Sequence, residues 1–377
     1  MNKTIKKRKR IFILRSNPVN PDSRVEKEAA ALAVAGYDVH IIAWDRDSEI
    51  NEVYDYVDVD GIKIPIVRFG HKASFGDGLK NIRPFLFFQW HLYSYLKANP
   101  CDVIHACDYD TAYTARKAYN RKKSKFIYDI FDFDRGRQDH FLSKIMRHIQ
   151  KNIVLKSDAT IICTEERINQ FNGYRPHKYA VIHNSPHLKP TTEDSHNESD
   201  RIRLAYVGIL IDNRLLKEIS EFVVENPKYE LHIGGFGMLE NYFATLSNKY
   251  DNIIFYGKIP YKRTLEIEES CDILLAVYDP TVINHKYAAP NKFYEGLMLG
   301  KPLIMAKGTG MSNVLLENDI GVVVDFTKEG FESGVHELTT RKDEWTQMSK
   351  KMKEIYDRDY SWDVMSKRLI NLYEDIF

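Results

Sequence analysis

The sequence predicts two α/β domains, each a doubly wound sheet of Rossmann type, that face each other across a cleft. Its 377 residues exceed the length that one hydrophobic core usually serves. Short apolar runs alternate with helix-forming segments along both halves of the chain. A polar stretch with two prolines interrupts this alternation once. We therefore expect an N-terminal domain, a linker, a second domain and a helix that crosses back to the first domain, over residues 1–185, 186–201, 202–360 and 361–377.

Composition and charge exclude several classes of protein. Lys plus Arg (54) nearly equals Asp plus Glu (53), so we expect no nucleic-acid partner. The four cysteines lack metal-ligand spacing and are expected to be reduced thiols of a cytoplasmic protein. The basic tail over residues 1–10 is followed by only a short apolar run, which does not suit a signal peptide.

The first half alternates between strands and helices. The run IFIL is bounded by charged and turn residues, as in a buried parallel strand, and an alanine-rich helix then stops at Gly36. The same reading predicts strands over 11–14, 39–44, 62–69, 102–105, 125–130, 159–164 and 180–183. It predicts helices over 24–35, 79–98, 111–119, 142–156 and 165–172.

The second half restarts the pattern after the linker. Parallel strands are predicted over 203–207, 229–233, 253–256, 273–277, 302–306 and 321–324. Helices are predicted over 215–225, 239–249, 261–270 and 291–299, with a mostly helical tail over 345–377.

Three predicted strands of the second half end in glycine, namely those before Gly208, Gly235 and Gly257. Glycine lets the backbone approach a phosphate, and a following helix offers free N–H groups. Arg214, just after the first junction, could pair with a diphosphate in a bidentate manner. A tight turn after a strand explains each single glycine equally well.

The segment AAPNKFYEGLMLGKPLI over residues 288–304 is the most informative part of the chain. Pro290 begins a predicted helix, Gly300 ends it, and Glu295 lies inside it. A carboxylate can accept hydrogen bonds from two ribose hydroxyls at once. The alternative, a solvated glutamate on a helix, stays open at this point.

These signals occur in a fixed order that resembles a known family. They are Tyr206-Val207-Gly208, then Gly235-Phe236-Gly237, then Gly257 before Pro260, and finally Tyr294-Glu295 through Gly300-Lys301-Pro302. The second half is therefore similar to the nucleotide-sugar domain of retaining glycosyltransferases of GT-B fold, family 4.

The resemblance implies roles for particular residues. Arg214 and Lys292 would stabilise the departing diphosphate, Glu295 would hold the ribose, and Asn291 would face the sugar and the phosphates. Gly208, Gly235 and Gly237 would line the donor. The expected donor is a nucleotide diphosphate-sugar, with no metal and no other cofactor.

Three positions depart from the family pattern. Ile209 stands where the family has a phosphate-binding arginine, Tyr287 where it has the first of two glutamates, and Phe131 where it has a catalytic histidine. Asp129 and Asp132 remain as candidate catalytic groups beside Phe131.

The first half resembles the family's acceptor domain. Asp22 and Arg24, after the first strand, would form a substrate pair, although Asp22 also suits a helix N-cap. His105 and Asp108 end a strand on the cleft side, as further acceptor-binding candidates.

The implied activity is sugar transfer to a saccharide or lipid-linked saccharide, with retention, in bacterial O-antigen or capsule synthesis. One alternative is a weak or inactive sugar-nucleotide-binding partner subunit on the same fold, and another is an epimerase or phosphorylase. Residues 81–96, rich in aromatic side chains, would contact the inner membrane face together with the basic N-terminus, or would instead form a core helix.

Overall fold

The structure, a computed structural model, describes residues 8–73, 81–133, 141–187 and 200–377. The chain divides into two compact units. Unit 1 comprises Met1–Ile182 and Ser366–Phe377, and unit 2 comprises His183–Met365. Most of the predicted linker and of the basic tail lies outside the described residues.

The described part of unit 1 contains one eight-stranded sheet of order β3-β4-β2-β1-β5-β6-β7-β8. The strands are β1 Arg10–Arg15, β2 Asp38–Asp45, β3 Val53–Val59, β4 Ile62–Gly70, β5 Val103–Cys107, β6 Lys125–Ile130, β7 Ala159–Ile162 and β8 Tyr179–Val181. Because β1 lies between β2 and β5, the direction of the strand order reverses at β1.

Strand β3 is not among the strands that the sequence predicts. It pairs with β4 in antiparallel register, and Asp60-Gly61 makes the turn between the two strands. Its sequence VYDYVDV is mostly exposed at this sheet edge, so it lacks the apolar run by which buried strands are recognised.

The helices of unit 1 include α1 Ser23–Val34, α2 Ile82–Ala98, α3 Asp108–Ala118 and α4 Phe141–Lys156. The segment Glu165–Phe171, predicted to be an α-helix, is a 3₁₀ helix that ends at left-handed Asn172. Large apolar side chains of the sheet and of α2, α3 and α4 form one core, among them Phe88, Phe126, Tyr128 and Ile162.

The described part of unit 2 contains one six-stranded parallel sheet of order β11-β10-β9-β12-β13-β14. The strands are β9 Ile202–Ile209, β10 Tyr229–Phe236, β11 Ile253–Phe255, β12 Ile273–Ala276, β13 Leu303–Ala306 and β14 Gly321–Val324. The helices are α5 Leu216–Glu225, α6 Glu240–Lys249, α7 Tyr261–Ser270, α8 Asn291–Leu299, α9 Ser312–Asn318, α10 Lys328–Thr340 and α11 Trp345–Ile355. Helices α9 and α10 were not predicted.

Helix α8 follows the sequence prediction over its whole length. Pro290, with extended backbone, occupies the N-cap position, and Gly300 ends the helix in the left-handed conformation at φ 67°. Nearly every side chain between these two residues is buried, so this helix forms part of the core of unit 2.

The tail continues from α11 through a π-helical segment, Tyr356–Tyr360, into α12 Trp362–Asp375. From Ser366 onward, α12 belongs to unit 1. No helix among those described combines the length and apolar character needed to cross a membrane.

Candidate functional site

The carboxyl ends of β9 and β12 mark the place in unit 2 where a ligand is expected. Strand β9 lies between β10 and β12, so the strand order reverses beside it. Open parallel sheets bind ligands beyond the carboxyl ends of the strands at such a reversal. The turn after β9, which carries the predicted donor residue Arg214, meets the segment between β12 and α8 there.

The predicted glycines allow the strand ends to pack closely. Gly235, at φ +132°, pairs with Gly208, and a Cβ on Gly235 would lie 1.7 Å from the Gly208 carbonyl oxygen. Gly237, at φ +142°, also lies close to a neighbouring turn, and a Cβ there would lie 2.6 Å from the Leu210 carbonyl oxygen. Contact between neighbouring turns therefore accounts for Gly235 and Gly237, and their contact with a donor stays a prediction.

Lys292 is a buried cation directly beside the turn after β9. It lies in the first turn of α8, is 5% exposed, and its Nζ donates to the carbonyl oxygen of Val207. Its ammonium lies 4.6 Å from the centre of the Tyr206 ring, and a Cβ on Gly208 would lie 3.0 Å from that Nζ. Gly208 thus leaves room for the lysine.

The charge on Lys292 is supported by its surroundings. Burial opposes the charged form, but Tyr278, Tyr206 and Glu295 outweigh it and raise the pKa of Lys292 above its usual value. Burial also raises the pKa of Tyr206 to about 12, so this hydroxyl stays neutral. The site therefore holds a fixed positive charge at neutral pH.

Arg214 provides a second cation beside Tyr206. Its guanidinium lies 4.0 Å from the centre of the Tyr278 ring and bonds the Asn213 side chain at 2.8 Å. It also lies 3.1 Å from Nε2 of His285, whose Nδ1 faces the Asp279 carbonyl oxygen at 2.7 Å. Arg214 and Lys292 both interact with Tyr206, so the structure brings the two predicted phosphate-binding cations together.

Glu295 lies one turn after Lys292 and is 2% exposed, so it is not the solvated helix glutamate considered as an alternative. Its charge acts on Tyr261 and Glu268 of α7 and raises the pKa of both groups, after burial, which is the larger cause. Asn291, at the exposed start of α8, completes the predicted donor residues. Sequence reasoning missed Tyr261, Tyr278 and Glu268, because an aromatic or acidic residue in such segments carries no distinguishing spacing. It named Tyr206 as part of a motif but gave it no role.

In unit 1, the predicted acceptor residues converge on the carboxyl ends of β1, β5 and β6. Arg15, the last residue of β1, pairs with Asp22 at 2.7 Å and with Asp108 at 2.6 Å. Asp22 is also the N-cap of α1 and accepts from Val25. Asp108 accepts from the backbone N–H groups of Phe131 and Asp132. Asp22 therefore has the capping role that was considered as an alternative, and its contact with a substrate stays a prediction.

A buried network lies behind these residues. Arg24 bonds Asp129 at 2.8 Å, and His105 lies 3.3 Å from Asp129 and 2.7 Å from the Tyr373 hydroxyl. Asp129 and His105 are completely buried, so they influence a ligand at the surface of unit 1 only through neighbours such as Arg24. Burial opposes ionisation of Asp129, but Arg24 and His105 lower its pKa below the ordinary value.

Glu28 is an acid of this network whose charged form is disfavoured by its surroundings. It is completely buried and lies 3.1 Å from Nε of Arg24. Burial, followed by repulsion from Asp129, raises the pKa of Glu28 to about 7. This carboxyl therefore changes its charge near neutral pH.

Phe131 lies between two arginines. The guanidinium carbons of Arg15 and Arg24 lie 4.3 Å and 4.5 Å from the centre of its ring. Asp132, next to it, is partly exposed and lies 3.8 Å from Arg167. Of the two candidate catalytic aspartates, only Asp132 offers its carboxylate to solvent.

The same network contains the described group that most resembles a metal site. Potential ligand atoms of His105, Cys107 and Asp129 lie within 4.8 Å of one another. Asp129 is already paired with Arg24, whose charge would oppose a cation. Burial raises the pKa of Cys107 well above its usual value, so the thiol keeps its proton. Ion pairs within the protein therefore explain why His105, Cys107 and Asp129 lie close together.

Comparison with known proteins gives one family match. A model described as glycosyltransferase family 4 matches residues 23–186, which correspond to most of unit 1. No curated protein matches the chain in sequence.

The fold is shared with many solved structures. Sucrose-phosphate synthase from Thermosynechococcus elongatus superposes with a TM-score of 0.77 at 13% identity, covering 98% of this chain and 99% of that one. HepE of Anabaena, solved in complex with UDP, gives 0.68 at 12% identity, with 97% and 100% covered. WaaG, a glycosyltransferase involved in lipopolysaccharide biosynthesis, gives 0.66 at 12%, with 96% and 99% covered.

These likenesses confirm the predicted fold class, two Rossmann-like units of the GT-B type. The family match over residues 23–186 is to a family of glycosyltransferases.

Proposed function

We propose that this chain is a glycosyltransferase that binds a nucleotide diphosphate-sugar at the carboxyl edge of the unit 2 sheet. The sugar would pass to a saccharide or lipid-linked saccharide acceptor. The family match over residues 23–186 and the GT-B fold support this class of activity. The order of motifs in unit 2 supports a retaining transfer, as in the family that the sequence resembles.

The proposal depends on one observation, namely that two cations, Lys292 and Arg214, both lie beside Tyr206. Two cations held at the end of β9, next to the start of α8, suit a diphosphate that gains charge as the sugar leaves. Because these cations and the backbone N–H groups meet that charge, the proposed transfer needs no metal. Glu295 would hold the ribose.

In unit 1, Arg24 and Asp108 belong to the network that would orient the acceptor, and Asp132 is the carboxylate best placed to meet it. Asp129 and His105 would act by fixing Arg24.

Contact with the inner face of a membrane, in surface polysaccharide synthesis, is a further part of the proposal. Helix α2 buries Phe88 and Leu92 but exposes Leu86 and Trp90 on its opposite face. A helix that is apolar on both sides suits a protein that rests on lipid.

A panel of ligands tests the donor. Thermal unfolding is measured with UDP, GDP, ADP and TDP and with their sugars, because a ligand bound only by the folded chain raises the melting temperature. At a concentration about a hundred times Kd, the expected stabilisation is about 2.7 kcal/mol. A chain that responds to none of these compounds would contradict the proposal.

A second candidate, an inactive sugar-nucleotide-binding partner subunit, is favoured by Phe131. Its ring fills the space between Arg15 and Arg24, where the family has a catalytic histidine. Incubating the best-binding donor with saccharide and lipid-linked acceptors separates the two functions. Binding without any transfer or hydrolysis would support the partner subunit.

A further inference from the structure

A cavity of about 480 Å³ lies in unit 1, at the opposite edge of the sheet from the predicted acceptor residues. The segments that line it lead into the first residues of β5, β6, β7 and β8, whereas the acceptor residues lie at the carboxyl ends of strands. Because β5 has five residues and each adds about 3.3 Å, the two edges are about 15 Å apart. The cavity is therefore separate from the place where an acceptor is expected.

Positive side chains from several segments line this cavity. They are Lys97 of α2, Arg116 of α3, Arg121 of the turn that follows α3, and Lys156 of α4. His177, before β8, adds a side chain that becomes positive in acid. Among the described residues that line the cavity none is acidic, and within the described chain these four cations form no ion pair. The cavity is therefore a concentration of positive charge.

Much of this charge comes from one short segment of the sequence. Residues 116–125, RKAYNRKKSK, contain six Lys and Arg and no Asp or Glu, although the whole chain has a net charge of only +1. The side chain of Asn120 accepts from the N–H of Lys122 and so fixes the turn inside this segment. The turn places Arg121 at the wall of the cavity.

Stabilisation of helix ends explains only part of this pattern. A cation in the last turn of a helix interacts favourably with the helix dipole, and Lys97, Arg116 and Lys156 occupy such positions. Each helix end carries about half a negative charge, so the three ends together balance less than half of the four positive charges. Arg121 belongs to no helix. The cavity therefore keeps an excess of about two positive charges, which a bound anion would balance.

Arg116 gives an independent indication of an anion. Its Nε is buried and has no hydrogen-bond partner in the part of the chain that the structure describes. Its guanidinium lies 5.7 Å from the centre of the Tyr119 ring, which forms another part of the cavity wall. The Tyr119 hydroxyl donates to Asp158 at 2.7 Å, and that carboxylate also accepts from the N–H of Phe126 at 2.8 Å. Since Arg116 lines the cavity, an acceptor bound there would satisfy its buried N–H.

We propose that this cavity binds a phosphate group that carries two negative charges, either on a small molecule or at the head of a phospholipid. Arginine recognises phosphate through paired hydrogen bonds and lysine recognises it as a point charge, and the cavity offers both. Its volume of about 480 Å³ is typical of small-molecule sites, so it has room for more than the phosphate itself. The site goes beyond the proposed sugar transfer, because neither donor nor acceptor is expected at this edge.

Calorimetry of the full-length chain with inorganic pyrophosphate tests the cavity. The titration is made with and without a saturating concentration of the tightest-binding nucleoside diphosphate, because pyrophosphate would otherwise also enter the proposed donor site. Pyrophosphate should still bind when nucleotide is present. Arg116→Gln with Arg121→Gln should weaken this binding at least about tenfold, since charge-assisted hydrogen bonds are lost. Arg121→Gln with Lys156→Gln changes two exposed side chains and should weaken it similarly, which separates the loss from any folding defect at Arg116.

Lys63→Gln with Lys144→Gln is the matched control. It removes two exposed positive charges of unit 1 that do not line the cavity, and it should bind pyrophosphate like the wild-type chain. Co-sedimentation with phosphatidylcholine vesicles, with and without phosphatidate, distinguishes the two sources of phosphate. A loss of phosphatidate binding in the cavity variants alone would assign the phosphate to a lipid. A loss of pyrophosphate binding alone would assign it to a small molecule.

Two results would overturn the proposal. One is an equal loss in the cavity variants and in the control. The other is a wild-type chain that neither binds pyrophosphate in the presence of nucleotide nor prefers vesicles with phosphatidate. The cavity variants should bind nucleoside diphosphate like the wild-type chain, so this failure would leave the proposed function intact. If the wild-type chain binds no nucleoside diphosphate, the proposed function fails, and the titration with pyrophosphate alone still tests the cavity.

Discussion

At the scale of single residues, Lys292 is a buried cation that keeps its charge. Its Nζ bonds a backbone carbonyl and faces an aromatic ring, and these contacts hold the ammonium without neutralising it. A diphosphate that reaches this ammonium would form charge-assisted hydrogen bonds, which contribute more than neutral ones.

Replacing this lysine tests the site directly. Lys292→Met keeps most of the side-chain volume and removes the charge, so affinity for the best nucleoside diphosphate should fall roughly tenfold to a hundredfold. Titration calorimetry measures the loss, and circular dichroism verifies that the variant is folded. Lys286→Met, at an exposed position of the segment before α8, is the matched control and should bind like the wild-type chain. Equal affinities for Lys292→Met and wild type would contradict the site.

Sequence reasoning named Lys292, Arg214 and Glu295 as candidates because they follow motifs along the chain. It could not find Glu268, since a glutamate in a charged amphipathic helix normally points to solvent. Only the packing of α7 on α8 turns this glutamate inward.

At the scale of elements, helix α2 has one buried face and one exposed face with apolar side chains. It was expected either to pack in the core or to contact a membrane, and its buried face includes Phe88 and Leu92. On the other face, Leu86 is 59% exposed and Trp90 is 63% exposed, and the helix contains no acidic residue. An apolar stripe without negative charge is compatible with an anionic lipid surface.

Charged substitutions on this face test membrane contact. The double variant Leu86→Glu and Trp90→Glu should lose at least about tenfold in its partition onto vesicles that contain anionic phospholipid, because both changes remove apolar area and add repulsion. Co-sedimentation measures the partition. Val34→Glu with Tyr54→Glu changes two equally exposed apolar residues elsewhere in unit 1 and should bind like wild type. Equal losses in both double variants would show that the effect is only one of net charge.

The elements themselves could be predicted where burial made them apolar, as in β1, β12 and α8. The prediction failed for edge strand β3 and for the short helix α9. Their exposed or mixed sequences do not show a strand or helix period, and their pairing depends on neighbours that a local pattern does not reveal.

At the scale of the whole molecule, each unit has its own core. Each also has a buried glutamate whose pKa is raised. Glu28 lies in unit 1 and Glu268 in unit 2. Both carboxyls have a pKa of about 4.5 when exposed to solvent, and burial raises both values in the folded chain, to about 7 for Glu28. Between the two pKa values, unfolding releases a proton, so rising pH lowers the free energy of unfolding.

Glutamine at either position should therefore reduce the loss of stability at higher pH. Relative to wild type, Glu28→Gln should gain about 3 kcal/mol between about pH 4.5 and pH 7 and no more above it. Glu268→Gln should likewise gain free energy of unfolding relative to wild type, over the pH range from the ordinary pKa of glutamate to the raised pKa of Glu268. Because the two residues share no partner and belong to different units, the double variant should equal the sum of the single variants within about 0.5 kcal/mol. Urea denaturation at several pH values measures these differences, and a gain that does not change with pH would show that neither carboxyl holds its proton in the folded chain.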